Sequence, residues 1–294
     1  MGKKRIILQK KCTETKTKKD VKDYEFKSLN HSFVEKALLA AEAQIFKLNK
    51  DGKLQEPIIL QLGTLVPTAK FKEYTRRMIL LPNRLRKLKE TTVLLVTKDP
   101  VDKFRSALDA EHSVTEGVFK DIIGYKKFKK MVGTSKSALK TSHEYDMIVL
   151  DTRLHSLLPK LLGPTVFCKS AQKYPLMVQM AKPDVDAELE KGKKSNKLKD
   201  NRVEPDYVLG QIRAWCRNTT FVPSSGPNIS IVVGYPYMSG LEIVENIDAV
   251  ITYLTDRKYR PIGGIINDGL KGITDLYLRA DDKSVPIMKS TESL

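Results

Sequence analysis

The chain has 294 residues, 41% of them hydrophobic, which is material for two domains or one large one and excludes disorder throughout. No apolar run approaches the ~18 residues of a membrane span, and Cys12, Cys168 and Cys216 are too few and too scattered for a disulfide framework or a zinc site. Lys and Arg number 52 against 35 Asp and Glu, a formal charge of +17, which points to a polyanionic partner, nucleic acid above all.

Residues 1–23 hold nine Lys or Arg against Glu14, Asp20 and Asp23, and read as a flexible basic tail suited to nuclear import or phosphate contact. The apolar patch at Ile6–Leu8 is too short for a signal peptide, so an interior, reducing compartment is expected. Ser32-Phe-Val-Glu35 has the form of a capping box, opening a helix that buries Val34, Ala37, Leu38, Ala41 and Ile45. Strands follow at Pro57–Leu62 and Arg77–Leu81, and the stretch joining them carries Lys70, Lys72, Arg76 and Arg77.

Beyond Leu88 the texture changes. Val93–Val96 and Met147–Leu150 are short, wholly apolar runs ended by Asp99 and Asp151, the signature of buried parallel strands. Leu154, Leu157, Leu158, Leu161 and Leu162 recur at helical spacing, with Gly163-Pro164 as the stop. Lys120–Lys140 contains seven lysines and only Asp121 as counter-charge, so Lys126, Lys127, Lys129 and Lys130 form a basic rim of phosphate-contact type.

Residues 182–206 are charged, sign-balanced and unpatterned, as in a solvated loop. Regular structure resumes with a helix over Tyr207–Trp215 and a strand over Ile229–Val233. Ser239-Gly-Leu-Glu242 is a second capping box, before the stripe Ile243, Val244, Ile247, Val250, Ile251 and Leu254. Gly272–Arg279 alternates as a closing strand. The simplest packing is an α/β chain in which one split α+β domain carries an inserted Rossmann-like βαβ domain.

Chemistry is sparse. No dinucleotide fingerprint, P-loop or nucleophile elbow occurs, and the four histidines have no ligand spacing. Asp99 and Asp151 could belong to a phosphotransfer site, but capping the helices that follow them is the simpler role. Cys168 and Cys216 read as small buried hydrophobes, and Phe71 and Phe128 as core, with Tyr74 and Tyr125 as candidate stacking surfaces. Binding without catalysis, cofactor, metal or small-molecule substrate is the expectation.

Several segments taken in order carry a resemblance: Leu94-Leu-Val-Thr-Lys-Asp-Pro100, Glu111–Glu116 leading to Phe119–Ile123, Tyr145–Leu154, Leu157–Gly163, Arg217–Pro223, Val244–Ile247 and Arg260–Gly264. Over about residues 30–290 the chain resembles the ribosomal protein L1 superfamily, in particular its nucleolar ribosome-biogenesis branch. The resemblance implies the two-domain fold of that family: a split α+β domain of residues 24–88 plus 178–290, and an inserted domain of 89–177. It also implies a non-enzymatic rRNA-binding role in the nucleus and nucleolus. The small-subunit member is the nearer match, with pre-18S rRNA, U3 snoRNP and pre-ribosomal proteins as partners. A large-subunit factor, or a protein-interaction module without RNA contact, are the alternatives. The family's Thr-Met-Gly turn corresponds to Ala280-Asp-Asp-Lys-Ser284, whose acids would repel phosphate, leaving Arg279, Lys283 and Ser284 as contacts. Its Leu-Pro-His-Gly feature corresponds to Leu81-Pro-Asn-Arg84, which adds Arg84.

Overall fold

Two four-stranded sheets form, one antiparallel and one parallel, because the apolar residues follow two different patterns along the chain. The structure, a computed structural model, describes residues 24–162, 171–187, 189–192 and 195–289. The expected basic tail, Cys12, Gly163-Pro164 and Cys168 lie outside the described residues. In chain order the elements are α1 (His31–Lys50), β1 (Ile58–Thr64), β2 (Arg77–Ile79), β3 (Val93–Thr97), α2 (Asp102–Leu108), β4 (Asp121–Gly124), α3 (Tyr125–Met131), α4 (Ser135–Glu144) and β5 (Met147–Asp151). There follow α5 (Leu158–Leu162), β6 (Leu176–Val178), β7 (Glu190–Gly192), β8 (Ser195–Lys199), α6 (Pro205–Arg217), β9 (Thr219–Phe221), β10 (Asn228–Gly234), α7 (Gly240–Thr255), β11 (Ile273–Ala280) and β12 (Lys283–Lys289).

The antiparallel sheet runs β10-β1-β11-β12. Ile58, Leu60 and Leu62 of β1 bury one face against Ala37, Ala41 and Leu48 of α1 and the stripe of α7, all six of whose expected positions are buried. Ser239 and Glu242 form the expected reciprocal cap on α7. The cap of α1 differs: Asn30, not Ser32, accepts the Phe33 N–H at 3.0 Å, and the helix begins two residues earlier than the Ser32 box allows. The Asn30 carboxamide oxygen also accepts from the Ser32 hydroxyl at 2.9 Å, so Ser32 sits in the first turn as a donor to the cap. The strand at 273–280 does not close the sheet; it is interior, and β12 lies outside it. Arg77–Ile79 pairs with β9 in a separate two-stranded ladder.

The parallel sheet runs β4-β3-β5-β6. Leu94, Val96, Ile148 and Leu150 face Phe128 of α3, Ala138 of α4 and Leu158 of α5. Val93, Leu95, Met147 and Val149 face Phe104 and Leu108 of α2, and Val208 and Ile212 of α6. Coverage on both faces explains the unbroken apolar runs. The expected helix over 154–162 divides into a 3₁₀ segment, Thr152–Leu157, and the single α turn of α5. Within 182–206, expected as a loop, β7 and β8 pair as a hairpin. Among the described residues no helix is long and apolar enough to cross a membrane.

Candidate nucleic-acid interface

The loop between β1 and β2 is tied down at its start. Leu65 N–H donates to Gly272 O at 3.1 Å, and Ala69 N–H to Ser224 O at 3.0 Å. Beyond these anchors Lys70, Phe71 and Lys72 stand out from the surface. Phe71, expected in the core, is 81% exposed. The anchors fix the backbone at Leu65 and Ala69, on either side of Pro67, and the chain beyond them leaves Phe71 outside the core. Lys72 lies 5.6 Å above the Tyr74 ring, which is tilted against Tyr174 at 5.7 Å.

The other two cations of this group turn inward. Arg76 donates from Nη1 to the carbonyls of Gln172 (2.9 Å) and Tyr174 (3.0 Å), and from Nε to Thr220 Oγ1 (2.8 Å). Burial, and then the neighbouring Arg86, bring its pKa down to about 10, so it stays charged at neutral pH. Arg77 donates to Ile262 O at 3.0 Å and grips both carboxylate oxygens of Glu73 at 3.1 and 3.0 Å.

Helix α3 displays the basic rim. Phe128 points into the core, as expected, and leaves Lys126, Lys127, Lys129 and Lys130 exposed on the outer side. Its first turn is capped from elsewhere: Asp99 accepts the Lys126 N–H at 3.1 Å. A side chain on Gly124 would collide with that carboxylate, so glycine is what lets Asp99 reach the helix end. Asp99 was expected to cap the helix that follows it and caps α3 instead, because parallel pairing sets β3 beside β4. Asp151 caps its own 3₁₀ segment, accepting the Arg153 N–H at 3.0 Å. It is 1% exposed and bound by the Arg153 guanidinium through Nε at 3.0 and 2.8 Å. Both strand-end carboxylates are therefore engaged, and among the described residues no group of three or more His, Cys, Asp or Glu could hold a metal. Cys216 is buried, and burial raises its thiol pKa.

The turn expected to replace the family's Thr-Met-Gly is the β11–β12 hairpin. Asp281 sits at its tip with φ 53°, a conformation aspartate tolerates. Its carboxylate meets Lys53 Nζ at 2.5 Å, and that hydrogen bond holds its pKa below the usual carboxylate value. One of the two acids expected to repel phosphate is thus neutralised locally. Arg279 donates to Asp281 O at 3.0 Å, while Lys283 and Ser284 lie exposed on the edge strand. Arg84 is exposed beside Asn83, whose carboxamide donates to Glu245 Oε2 at 2.6 Å and pins this turn to α7.

The twelve candidates do not form one surface. Tyr74, beyond the Lys70–Lys72 loop, and Tyr125, at the start of α3, pack on the same cluster, the one that holds Phe128. In β1, Ile59 pairs with Arg279 and Thr64 with Ile273, so the 279–284 turn and the loop leaving β1 lie at opposite ends of the sheet, ~20 Å apart. Sequence reading missed Arg86. It donates to Tyr235 Oη at 2.6 Å and Asp146 O at 3.2 Å, and lies 5.1 Å over the Tyr235 ring. Nothing in Arg84-Leu-Arg-Lys87 distinguishes it from its neighbours.

A profile of the ribosomal protein L1p/L10e family matches residues 9–280. The chain belongs to that family. The parallel and antiparallel sheets are its two-domain fold. Ribosome biogenesis protein UTP30 of Saccharomyces cerevisiae is 32% identical over 211 residues, 71% of this chain and 72% of the yeast protein. A Schizosaccharomyces pombe protein provisionally named for ribosome biogenesis is 22% identical over 239 residues, 79% of this chain and 54% of that protein.

Proposed function

We propose that the chain is a non-catalytic rRNA-binding assembly factor of the small ribosomal subunit. Pre-18S rRNA is its ligand, U3 snoRNP and pre-ribosomal proteins are its neighbours, and the nucleolus is its place of work. The similarity to a yeast protein named for ribosome biogenesis carries the assembly part of this reading. The net charge of +17, with Lys70, Lys72 and the four lysines of α3 exposed, supports the RNA part. Phe71 between two lysines is arranged to stack on an unpaired base while its neighbours meet phosphates. The division into 24–88 plus 178–290 around 89–177 belongs to the same proposal, with α6 resting on the inserted sheet.

The test is binding of a labelled, structured rRNA fragment at a series of salt concentrations. With roughly six to ten phosphate contacts, affinity falls on the order of 10³ to 10⁵ between ~50 and ~200 mM salt. Reversing Lys70, Lys72, Lys126 and Lys127 to Glu flattens that slope, and Phe71→Ala weakens binding by about 1–3 kcal/mol. Binding indifferent to salt and to all four reversals would exclude this surface. Crosslinking in cells then reads the contacted rRNA; contacts confined to large-subunit precursors replace the small-subunit assignment.

A further inference from the structure

Between the two sheets lies a cavity of about 440 Å³, within the size range of small-ligand sites. Arg76, Arg86 and Lys173 line it, with Glu56 and Asp146 as the acidic members. The two guanidiniums spend their hydrogen bonds on neutral oxygens alone. Arg76 reaches Thr220 and two backbone carbonyls, and Arg86 reaches the Tyr235 phenol and the Asp146 carbonyl. The Asp146 carboxylate is turned to Thr92, accepting its N–H at 2.8 Å and its hydroxyl at 2.7 Å. Each guanidinium has five N–H donors. Four of those of Arg76 and three of those of Arg86 are used, so three remain.

A second observation comes from elsewhere in the lining. Trp215 also lines the cavity, and its indole Nε1–H is shielded from solvent without a hydrogen-bond partner. Buried donors are nearly always satisfied, so this orphan is a further unmet donor among the residues that line the cavity. Burial and then Arg86 lower the pKa of Arg76, whereas at Arg86 burial is outweighed by the Tyr235 phenol and Asp146, which raise it.

We propose that this cavity binds a phosphate group, held by the free donors of Arg76 and Arg86. A tetrahedral oxyanion supplies the negative charge and the several acceptors that the site lacks, and guanidinium forks match its geometry. The phosphate comes either from a free phosphate monoester, such as a mononucleotide, or from an RNA backbone. The inference does not depend on the exposed lysine surface.

Trp215 is the only tryptophan in the chain, so its fluorescence reports on the cavity directly. The purified full chain is titrated at constant ionic strength with inorganic phosphate, with uridine monophosphate, and with a short oligouridylate lacking terminal phosphates. A saturable change with phosphate is expected, weakened roughly tenfold to hundredfold in Arg86→Gln, and unchanged in a double variant of two exposed lysines outside both surfaces, Lys50→Gln/Lys271→Gln. Saturation by the monophosphate but not the oligonucleotide assigns a free monoester; saturation by the oligonucleotide assigns the backbone. A flat response to all three ligands overturns the proposal, as does a titration that Arg86→Gln leaves unaltered. Should Arg86→Gln fail to fold by circular dichroism, Arg86→Lys decides, since it keeps the charge and loses the fork: equal affinity there overturns the site. Because inorganic phosphate contains no RNA, the site can fail while rRNA binding persists, and the reverse.

Discussion

Asp248 shows how one buried side chain can organise a segment distant in sequence. Set in the middle of α7 and fully buried, it accepts the backbone N–H groups of Lys27 (3.0 Å), Ser28 (2.8 Å) and Leu29 (2.9 Å), and the Tyr24 hydroxyl (3.0 Å). The carboxylate needs no cation because a ring of donors replaces its hydration. Removing it leaves three amides without acceptors, partly relieved because residues 24–29 can fray into water. Asp248→Ala is therefore expected to lower unfolding stability by roughly 2–4 kcal/mol in urea titration. Near-native stability would mean that the segment is held by Phe26 and Leu29 packing alone. Arg76 and Arg77 belong to the same scale: both read as exposed phosphate contacts in sequence, and both are committed to protein oxygens in the structure.

Among the elements, α7 is the most self-sufficient. Its capping box closes in both directions, with Glu242 N–H donating to Ser239 Oγ at 3.3 Å and Ser239 N–H donating to Glu242 Oε2 at 2.8 Å. Ser239→Ala removes the hydroxyl that accepts the Glu242 N–H, keeps the backbone N–H that Glu242 accepts, and is expected to cost about 1 kcal/mol, read from the shift in urea midpoint with the slope unchanged. Helix α3 is the opposite case. Seven residues, four of them lysines, make little helix alone. Phe128 in the core and the remote Asp99 cap hold it together, so its charge is displayed on a rigid support.

At the scale of the whole molecule, burial keeps several phenols protonated beyond their ordinary range. Tyr24, Tyr145 and Tyr235 all have pKa values raised, first by burial. Hydrogen bonds to Asp248 and Asp121 add to the rise at Tyr24 and Tyr145, whereas Arg86 opposes it at Tyr235. The unfolded chain releases these protons near pH 10, and the folded one holds them. Stability from these groups is complete below ~10 and is lost as pH rises towards the folded values. Urea midpoints are expected to fall steadily above about pH 10, in step with delayed phenolate absorbance in the native protein. Phenolate appearing at the ordinary pH without unfolding would contradict this. The net charge of +17 acts in the same whole-molecule sense, drawing polyanions over distances that added salt shortens.

Sequence alone was sufficient for the parallel strands, the stripe and cap of α7, and the alternation of two textures that makes the two-sheet fold. These follow from local periodicity, since each residue's burial is set by neighbours two to four positions away. Tertiary structure decided the rest. The exposure of Phe71, the inward turn of Arg76, the capping of α3 by Asp99, the interior place of β11 and the pairing of Asp281 with Lys53 all depend on partners tens to hundreds of residues distant. A lysine or arginine looks the same in sequence whether water or a carbonyl receives it, and only the packing of the two sheets determines which.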